Sequence, residues 1–215
     1  MNKVNTNVTV TDERILSAAL QVFLEKGFNG ATTRVIASAA DINEVTLFRH
    51  YGNKLNLLKA VIEHFSPLSD LENVVNNQLS GNYHDDLRVL GKHIIKRMTD
   101  QPDILTFLMI SGREIPELPD LLVDIPMRVI LLLTDFFQRH IEHGAVRQTF
   151  SPLLLSQVFF SQIVGFVISS YRIKPQMHKL PLQLEEAMLP LEQAVDQFVD
   201  IFIVGTDAAV QRPPR

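Results

Sequence analysis

The chain has 215 residues, 46% of them hydrophobic, which is enough for one small domain and a larger one with a substantial core. It contains no cysteine, so disulfides, thiolate nucleophiles and thiolate metal sites are excluded. The formal net charge of −4 argues, taken globally, against a polyanionic partner.

The local charge says otherwise. From Lys26 to Lys59 five Lys and Arg face only Asp41 and Glu44, and the acidic excess lies elsewhere. In this stretch the spacing predicts three short helices. Residues 13–26 place Ile15, Ala19, Val22 and Phe23 at helical intervals, and Gly27 closes that helix. Thr32 or Thr33 caps a second helix whose inward residues are read as Val35, Ile36 and Ala39. Asp41-Ile42-Asn43 supplies the turn, with Ile42 as its buried pin. Residues 44–51 form a third helix, with Leu47 inward and Asn43, Glu44, Thr46, Arg49 and His50 on the polar side. Two helices so short cannot bury enough surface alone, so the first must pack across both. Such a pair joined by a tight turn beside a basic cap is a device for reading DNA.

Helical stretches continue past Leu58, separated by breakers, with no alternating runs that would read as strands. The expected fold is therefore all-α, with about nine helices. Helix four runs from 53 to about 65 and resumes beyond Pro67. Helix five covers about 84–99, with Leu87, Leu90, Ile94 and Met98 on one face. Pro102 opens helix six. Helix seven ends at Glu142, and Pro126 either kinks it or marks its first turn. Ser151 caps helix eight and Pro152 opens it, a position where the missing N–H costs nothing. This helix is apolar nearly all round and needs two neighbours. Helix nine carries Leu184, Met188, Leu191, Val195, Phe198 and Phe202 at helical spacing. The division expected is a helix-turn-helix unit over 1–52, a larger helical domain over 53–208 and a disordered tail over 209–215.

From Arg14 to Leu58 the residues resemble, in order, the TetR (TetR/AcrR) family of one-component transcriptional regulators. Ile15-Leu16-x-Ala18-Ala19-x-x-x-Phe23 and Gly27-Phe28 look like the family's first helix. Thr33-Arg34-x-Ile36-Ala37-x-x-Ala40-x-Ile42 resembles its second helix and turn, and Thr46-Leu47-Phe48-Arg49-His50-Tyr51 its recognition helix. Asn53-Lys54-x-x-Leu57-Leu58 is similar to the start of its fourth, where the family holds phosphate with a lysine and a helix N-terminus. Departures are Asp41, where the family usually has glycine, Val45 for a small residue, and Phe48 for a tyrosine. Lacking the phenol hydroxyl, Phe48 cannot donate to a phosphate oxygen, and packing is its expected contribution.

The resemblance implies a repressor that a small molecule releases from a palindromic operator, with 1–52 as the DNA-binding domain and 53–208 as the effector-binding and dimerisation domain. Its DNA-binding residues would be Thr32, Thr33, Arg34, Asn43, Glu44, Val45, Thr46, Phe48, Arg49, His50 and Lys54. An apolar or amphipathic effector would occupy a pocket lined by Phe65, Phe107, Met109, Ile110, Met127, Phe136, Phe137, Phe159 and Phe166, since aromatic and methionine side chains suit an adaptable cavity. Helices eight and nine would pair across a two-fold axis through Phe160, Ile163, Val167, Met188, Leu191, Val195, Phe198 and Phe202, giving a homodimer.

Other classes find less support. There is no G-x-S-x-G, H-E-x-x-H, P-loop or G-x-G-x-x-G, and the expected protein is not an enzyme and carries no cofactor. His140 and His143 have a spacing that can share a metal, but cationic histidines suit a helix C-terminus without one, and no metal is expected. The apolar window 153–168 is interrupted by Ser156, Gln157, Ser161 and Gln162, reads as a core helix rather than a membrane span, and with the polar N-terminus suggests a cytoplasmic protein. The alternative is a helical module of the same fold that binds small molecules or partners without reading DNA, which Phe48 and Glu44 suggest.

Overall fold

Capping chemistry sets where the N-terminal helices begin. In the computed structural model, which describes residues 10–100, 103–104, 107–108, 115–173 and 191–209, the first four elements are α1 (Val10–Gly30), α2 (Thr33–Ala39), α3 (Glu44–Tyr51) and α4 (Lys54–Phe65). Thr32 accepts from the Val35 N–H at 3.3 Å, Asn43 from the Val45 N–H at 2.9 Å, and Asn53 from the Asn56 N–H at 2.8 Å. Each side-chain oxygen satisfies a backbone donor that has no partner within its helix. The helical path of α1 breaks at Gly27, whose φ of 67° would strain a residue with a Cβ.

The described residues divide into two compact units. The first contains those up to Ser66 together with those of Gln101–Asp124. α1 packs on α2 and α4, and α3 on α2 and α4, around Ile15, Ala19, Phe23, Ile36, Leu47, Leu57 and Leu58. Two expectations are corrected here. α4, assigned from the sequence to the second domain, buries Leu57, Leu58, Val61 and Ile62 within the first unit. In α2 the inward residues are Ile36, Ala37 and Ala40, while Ala39 is exposed and Val35 half-buried. The Thr32 cap fixes the phase of this helix so that positions 36, 37 and 40 share one face.

In the second unit α5 (Leu71–Asn77) is a separate short helix rather than a resumption of α4, entered through Asp70 at a φ of 61°. α6 (Tyr83–Asp100) is preceded by a loop gathered round the buried Asp86 carboxylate, which accepts from the Ser80 N–H at 2.6 Å, the Ser80 hydroxyl at 2.9 Å and the Gly81 N–H at 2.8 Å. The expected sixth helix falls largely outside the described residues. α7 (Leu118–Glu142) continues through Pro126, and the division between the units falls within it, at Asp124. α8 (Pro152–Ile168) starts at the Ser151 cap and passes into a π-helical turn, Ser169–Ile173; α9 is Leu191–Thr206. α6, α8 and α9 pack on one another.

Gly91 marks the α6–α9 crossing: a Cβ there would stand 3.1 Å from Val199 and 3.6 Å from Val195. Arg88 pairs with Asp200, and Lys92 with Asp196 at 3.0 Å, on the outer side of the same crossing. Beneath it Tyr83, Phe136, Phe137, Phe159 and Phe202 form a chain of ring contacts with centroids 5.2–6.5 Å apart. The C-terminal end of α9 is fastened to the start of α6. Thr206 gives its proton to the Phe202 carbonyl, so the Tyr83 hydroxyl donates to Thr206 Oγ1 at 2.6 Å, and His84 Nε2 donates to Asp207 at 2.6 Å. Burial by itself would raise the Asp207 carboxyl pKa, but the Ala209 N–H, the bond and charge of His84 and the charge of Arg147 outweigh it and hold it below the ordinary range.

Pro152–Tyr171 forms a helix that is long and apolar enough, by length and composition, to cross a membrane, longer than the window read from the sequence. A third of it is buried, with Leu155, Phe159, Ile163 and Val167 turned into the unit.

Candidate nucleic-acid interface

α3 is short because its two ends are chemically defined. Asn43 starts it, and Gly52 at φ 75° ends it. Leu47 is fully buried and anchors the helix on α2 and α4. The opposite side then has to face solvent, and it presents Glu44, Val45, Thr46, Phe48 and Arg49.

The turn before it is made by Asp41 at φ 51°, a left-handed conformation that Asp tolerates better than most non-glycine residues. Arg14 reaches its carbonyl from α1 at 3.4 Å. Ile42, read as a buried pin, is only half-buried. Beside the turn lies an open depression lined by Arg34, Ala37, Ser38, Asp41, Ile42, Asn43 and Glu44.

Of the residues predicted to touch DNA, several turn out to hold the reading helix in place. Thr32 and Asn43 spend their side-chain oxygens as caps. The Thr33 hydroxyl donates to Glu44 Oε1 at 2.5 Å, tying the start of α2 to the start of α3. His50 turns back to α1, where its Nδ1 lies 2.8 Å from Asp12 Oδ1, and the Tyr51 hydroxyl donates to the same oxygen at 3.3 Å. Burial, with the neighbouring Asp12 charge and hydrogen bond adding to it, keeps the Tyr51 phenol well above the usual tyrosine range, so it stays a donor. These contacts place Asp12, which the sequence gave no local reason to single out, at the centre of the α1–α3 fastening.

Lys54 also has an internal role. Its ammonium donates to the Phe28 carbonyl at 2.7 Å and sits 4.3 Å from the Phe28 ring centroid, clamping the start of α4 to the end of α1. Partial burial holds its pKa below the ordinary lysine value. Arg34, Val45, Thr46, Phe48 and Arg49 keep their side chains turned wholly or partly outward. Phe48 is 45% exposed and Val45 73%, so the expectation that Phe48 serves packing alone is corrected. Leu47 takes the inward position on this helix, and Phe48, one residue on, is rotated away from it.

The effector-pocket candidates divide between the two units. Phe107 joins Phe23, with centroids 6.0 Å apart, in the first. Phe65 is half-buried and meets His64 edge-on at 4.7 Å. Phe136, Phe137 and Phe159 are filled core of the second unit, Phe166 pairs edge-on with Phe198 at 4.9 Å, and Met127 is exposed. Met109 and Ile110 lie outside the described residues. The dimer candidates are corrected more sharply. Phe160, Ile163, Val167, Val195 and Phe202 are buried within the subunit, where α8 and α9 pack on α6. Met188 falls outside the described residues. The large apolar side chains that α8 and α9 turn outward, among the described residues, are Leu153, Leu154, Val158, Ile201 and Val204. The two histidines considered for a metal diverge: His140 is buried between the Phe136 and Tyr83 rings, and His143 Nδ1 donates to the Arg139 carbonyl at 2.7 Å.

Residues 15–61 match the family model described as bacterial regulatory proteins, tetR family. Over 201 residues the chain is 29% identical to the HTH-type transcriptional regulator YvkB of Bacillus subtilis, covering 92% of this chain and 98% of that protein. It is 23% identical to the HTH-type transcriptional repressor BepR of Brucella suis, over 78% of this chain and 83% of the other. The crystal structure of the regulator FadR from Bacillus subtilis, in complex with stearoyl-CoA, shares the fold with a TM-score of 0.66 at 15% identity, over 90% of this chain and 98% of that one. With a helix-turn-helix whose outer face presents Glu44, Thr46 and Arg49 beside Val45 and Phe48, a helical architecture among the described residues, and transcriptional regulators among its relatives, the chain is similar to the DNA-binding transcriptional regulators of the TetR family, the family whose model its residues 15–61 match.

Proposed function

We propose that the protein is a homodimeric cytoplasmic repressor that leaves a near-palindromic operator when an apolar or amphipathic small molecule binds its C-terminal helices. The observation that carries this reading is the outer face of α3, where Glu44, Val45, Thr46 and Arg49 stand exposed or half-exposed on a helix anchored by the buried Leu47. A helix held in this way can enter the major groove while Arg34, Lys54 and the N-terminal end of α4 meet phosphates.

One such helix binds weakly, and two related by a two-fold axis, about 34–36 Å apart, address successive turns of the duplex. The outward apolar residues Leu154 and Val158 of α8 and Ile201 and Val204 of α9 are the surface on which we place the dimer contact, in place of the inward residues named from the sequence. Light scattering at micromolar concentration is expected to return twice the 24.4 kDa subunit mass.

Repression is supported by the likeness to BepR, and an amphipathic effector by the fold shared with the acyl-CoA-bound FadR. The test is a mobility shift on the DNA upstream of the protein's own coding sequence. Binding should weaken steeply with salt, because phosphate contacts release counterions. A long-chain acyl-CoA or another amphiphile that stabilises the unbound conformation should lower affinity several-fold to a hundredfold, the range of a coupling of about 1–3 kcal/mol. Salt-insensitive binding, or none, would defeat the operator reading; amphiphiles without effect would defeat the effector reading.

A further inference from the structure

The outer face of α3 carries two large apolar side chains that the subunit leaves uncovered. Val45 is 73% exposed and Phe48 45%, and they are three positions apart, so they stand beside each other on one side of the helix. Exposing a phenylalanine and a valine next to Thr46 and Arg49 serves no purpose in stabilising α3, whose anchor is Leu47. Neither side chain can make a hydrogen bond to a phosphate or to a base edge.

Among the groups displayed in the major groove of ordinary duplex DNA, the one that rewards apolar contact is the C5-methyl of thymine. Residues in the N-terminal part of a recognition helix are those that reach base edges, and Val45 is the second residue of α3. We infer that Val45 and Phe48 are specificity-determining residues that select thymine at the operator positions facing the start of α3, by covering its C5-methyl. This inference rests on α3 being the helix that enters the groove.

The neighbouring polar groups complement this selection. Thr33 holds the Glu44 carboxylate by a hydrogen bond at 2.5 Å, which leaves the second carboxylate oxygen to accept from a cytosine amino group. A carboxylate so placed repels phosphates, and it therefore opposes binding to sequences that do not supply that donor. Arg49, exposed one turn further along, has the donor fork that suits guanine. The apolar pair thus adds discrimination that hydrogen bonding at this helix cannot provide.

The experiment uses the full chain. Duplexes are selected from a randomised pool, and the best is resynthesised with each thymine replaced singly by deoxyuridine, which deletes the methyl and keeps every hydrogen-bonding group and phosphate. Anisotropy titrations then give Kd for the wild type, Val45→Ala and Phe48→Ala, with circular dichroism to confirm that each variant is folded. At one or two positions per half-site deoxyuridine is expected to weaken wild-type binding by roughly fourfold, the value of one buried methyl. At those positions Val45→Ala or Phe48→Ala should bind thymine and deoxyuridine duplexes alike, so that variant and methyl deletion are coupled in a double-mutant cycle. A selected duplex indifferent to deoxyuridine at every position overturns the inference while leaving DNA binding by α3 intact. Methyl dependence that persists unchanged in both variants overturns the assignment to these residues. A pool that yields no duplex bound in a salt-dependent way overturns the docking of α3, and the inference with it.

Discussion

Asp41 stands where the family usually has glycine, and its φ of 51° shows why glycine is the easier choice. An L-residue in this conformation brings its Cβ close to the following carbonyl, at a cost of about 1 kcal/mol that Asp only partly offsets. Asp41→Gly is expected to raise the midpoint of urea unfolding by an amount equivalent to about 0.5–1 kcal/mol, and Asp41→Val to lower it. Lys54 is a second residue whose family role conceals a local one. Because its ammonium already donates to the Phe28 carbonyl and covers that ring, Lys54→Ala should destabilise the DNA-free protein by about 1 kcal/mol. Thermal melts without DNA separate that loss from the loss of a phosphate contact: an unchanged melt would leave Lys54 with no fastening role. His50 carries the same lesson. Its ring is engaged by Asp12, so a change there should act on DNA affinity by loosening α3 rather than by deleting a base contact.

At the scale of elements, the second unit depends on how closely α6 approaches α9. Gly91 permits that approach, since a Cβ would already crowd Val199 at 3.1 Å. Gly91→Leu should therefore cost about 1–3 kcal/mol by overpacking, or more if the helices separate, read from chemical denaturation. The flanking ion pairs Arg88–Asp200 and Lys92–Asp196 have partly exposed partners. Replacing Asp200 by Ala should change stability by less than about 1 kcal/mol and mainly alter its dependence on salt. Equal losses from the two substitutions would mean that charge rather than close packing sets the crossing.

For the molecule as a whole, two histidines of the second unit contribute to the response to acid. Desolvation lowers the pKa of His140, which lies buried among aromatic rings, although Asp86 pulls the other way. It also lowers that of His93, whose Nε2 donates to the Ser69 carbonyl at 3.1 Å. In both cases the fold prefers the neutral ring. Their stabilising contribution is then complete above the ordinary histidine value of about 6.5 and is lost progressively as pH falls through that value toward the lowered folded pKa. The melting temperature should drop between pH 7 and pH 5, and His140→Leu should flatten that dependence. A wild-type melting temperature that rises on acidification over this range would contradict the assignment.

The all-helical class, the capped helix-turn-helix and the inward Leu47 were legible in the chain itself, because caps, turn residues and helical periodicity act over four or fewer positions. Asp41, Gly27 and Asn53 announce their roles locally for the same reason. The destinations of Thr33, His50 and Lys54 were decided by tertiary structure, since their partners Glu44, Asp12 and Phe28 lie 11, 38 and 26 residues away and nothing local marks them. The facing of α8 and α9 was likewise beyond a one-dimensional reading. α8, apolar on most of its circumference, has no pattern to say which side meets its own subunit; α9 has an apolar face at helical spacing, but nothing in the chain says whether that face meets α6 or a second copy, and only the packing on α6 turned Ile163, Val167 and Val195 inward and left Leu154, Val158 and Ile201 outside.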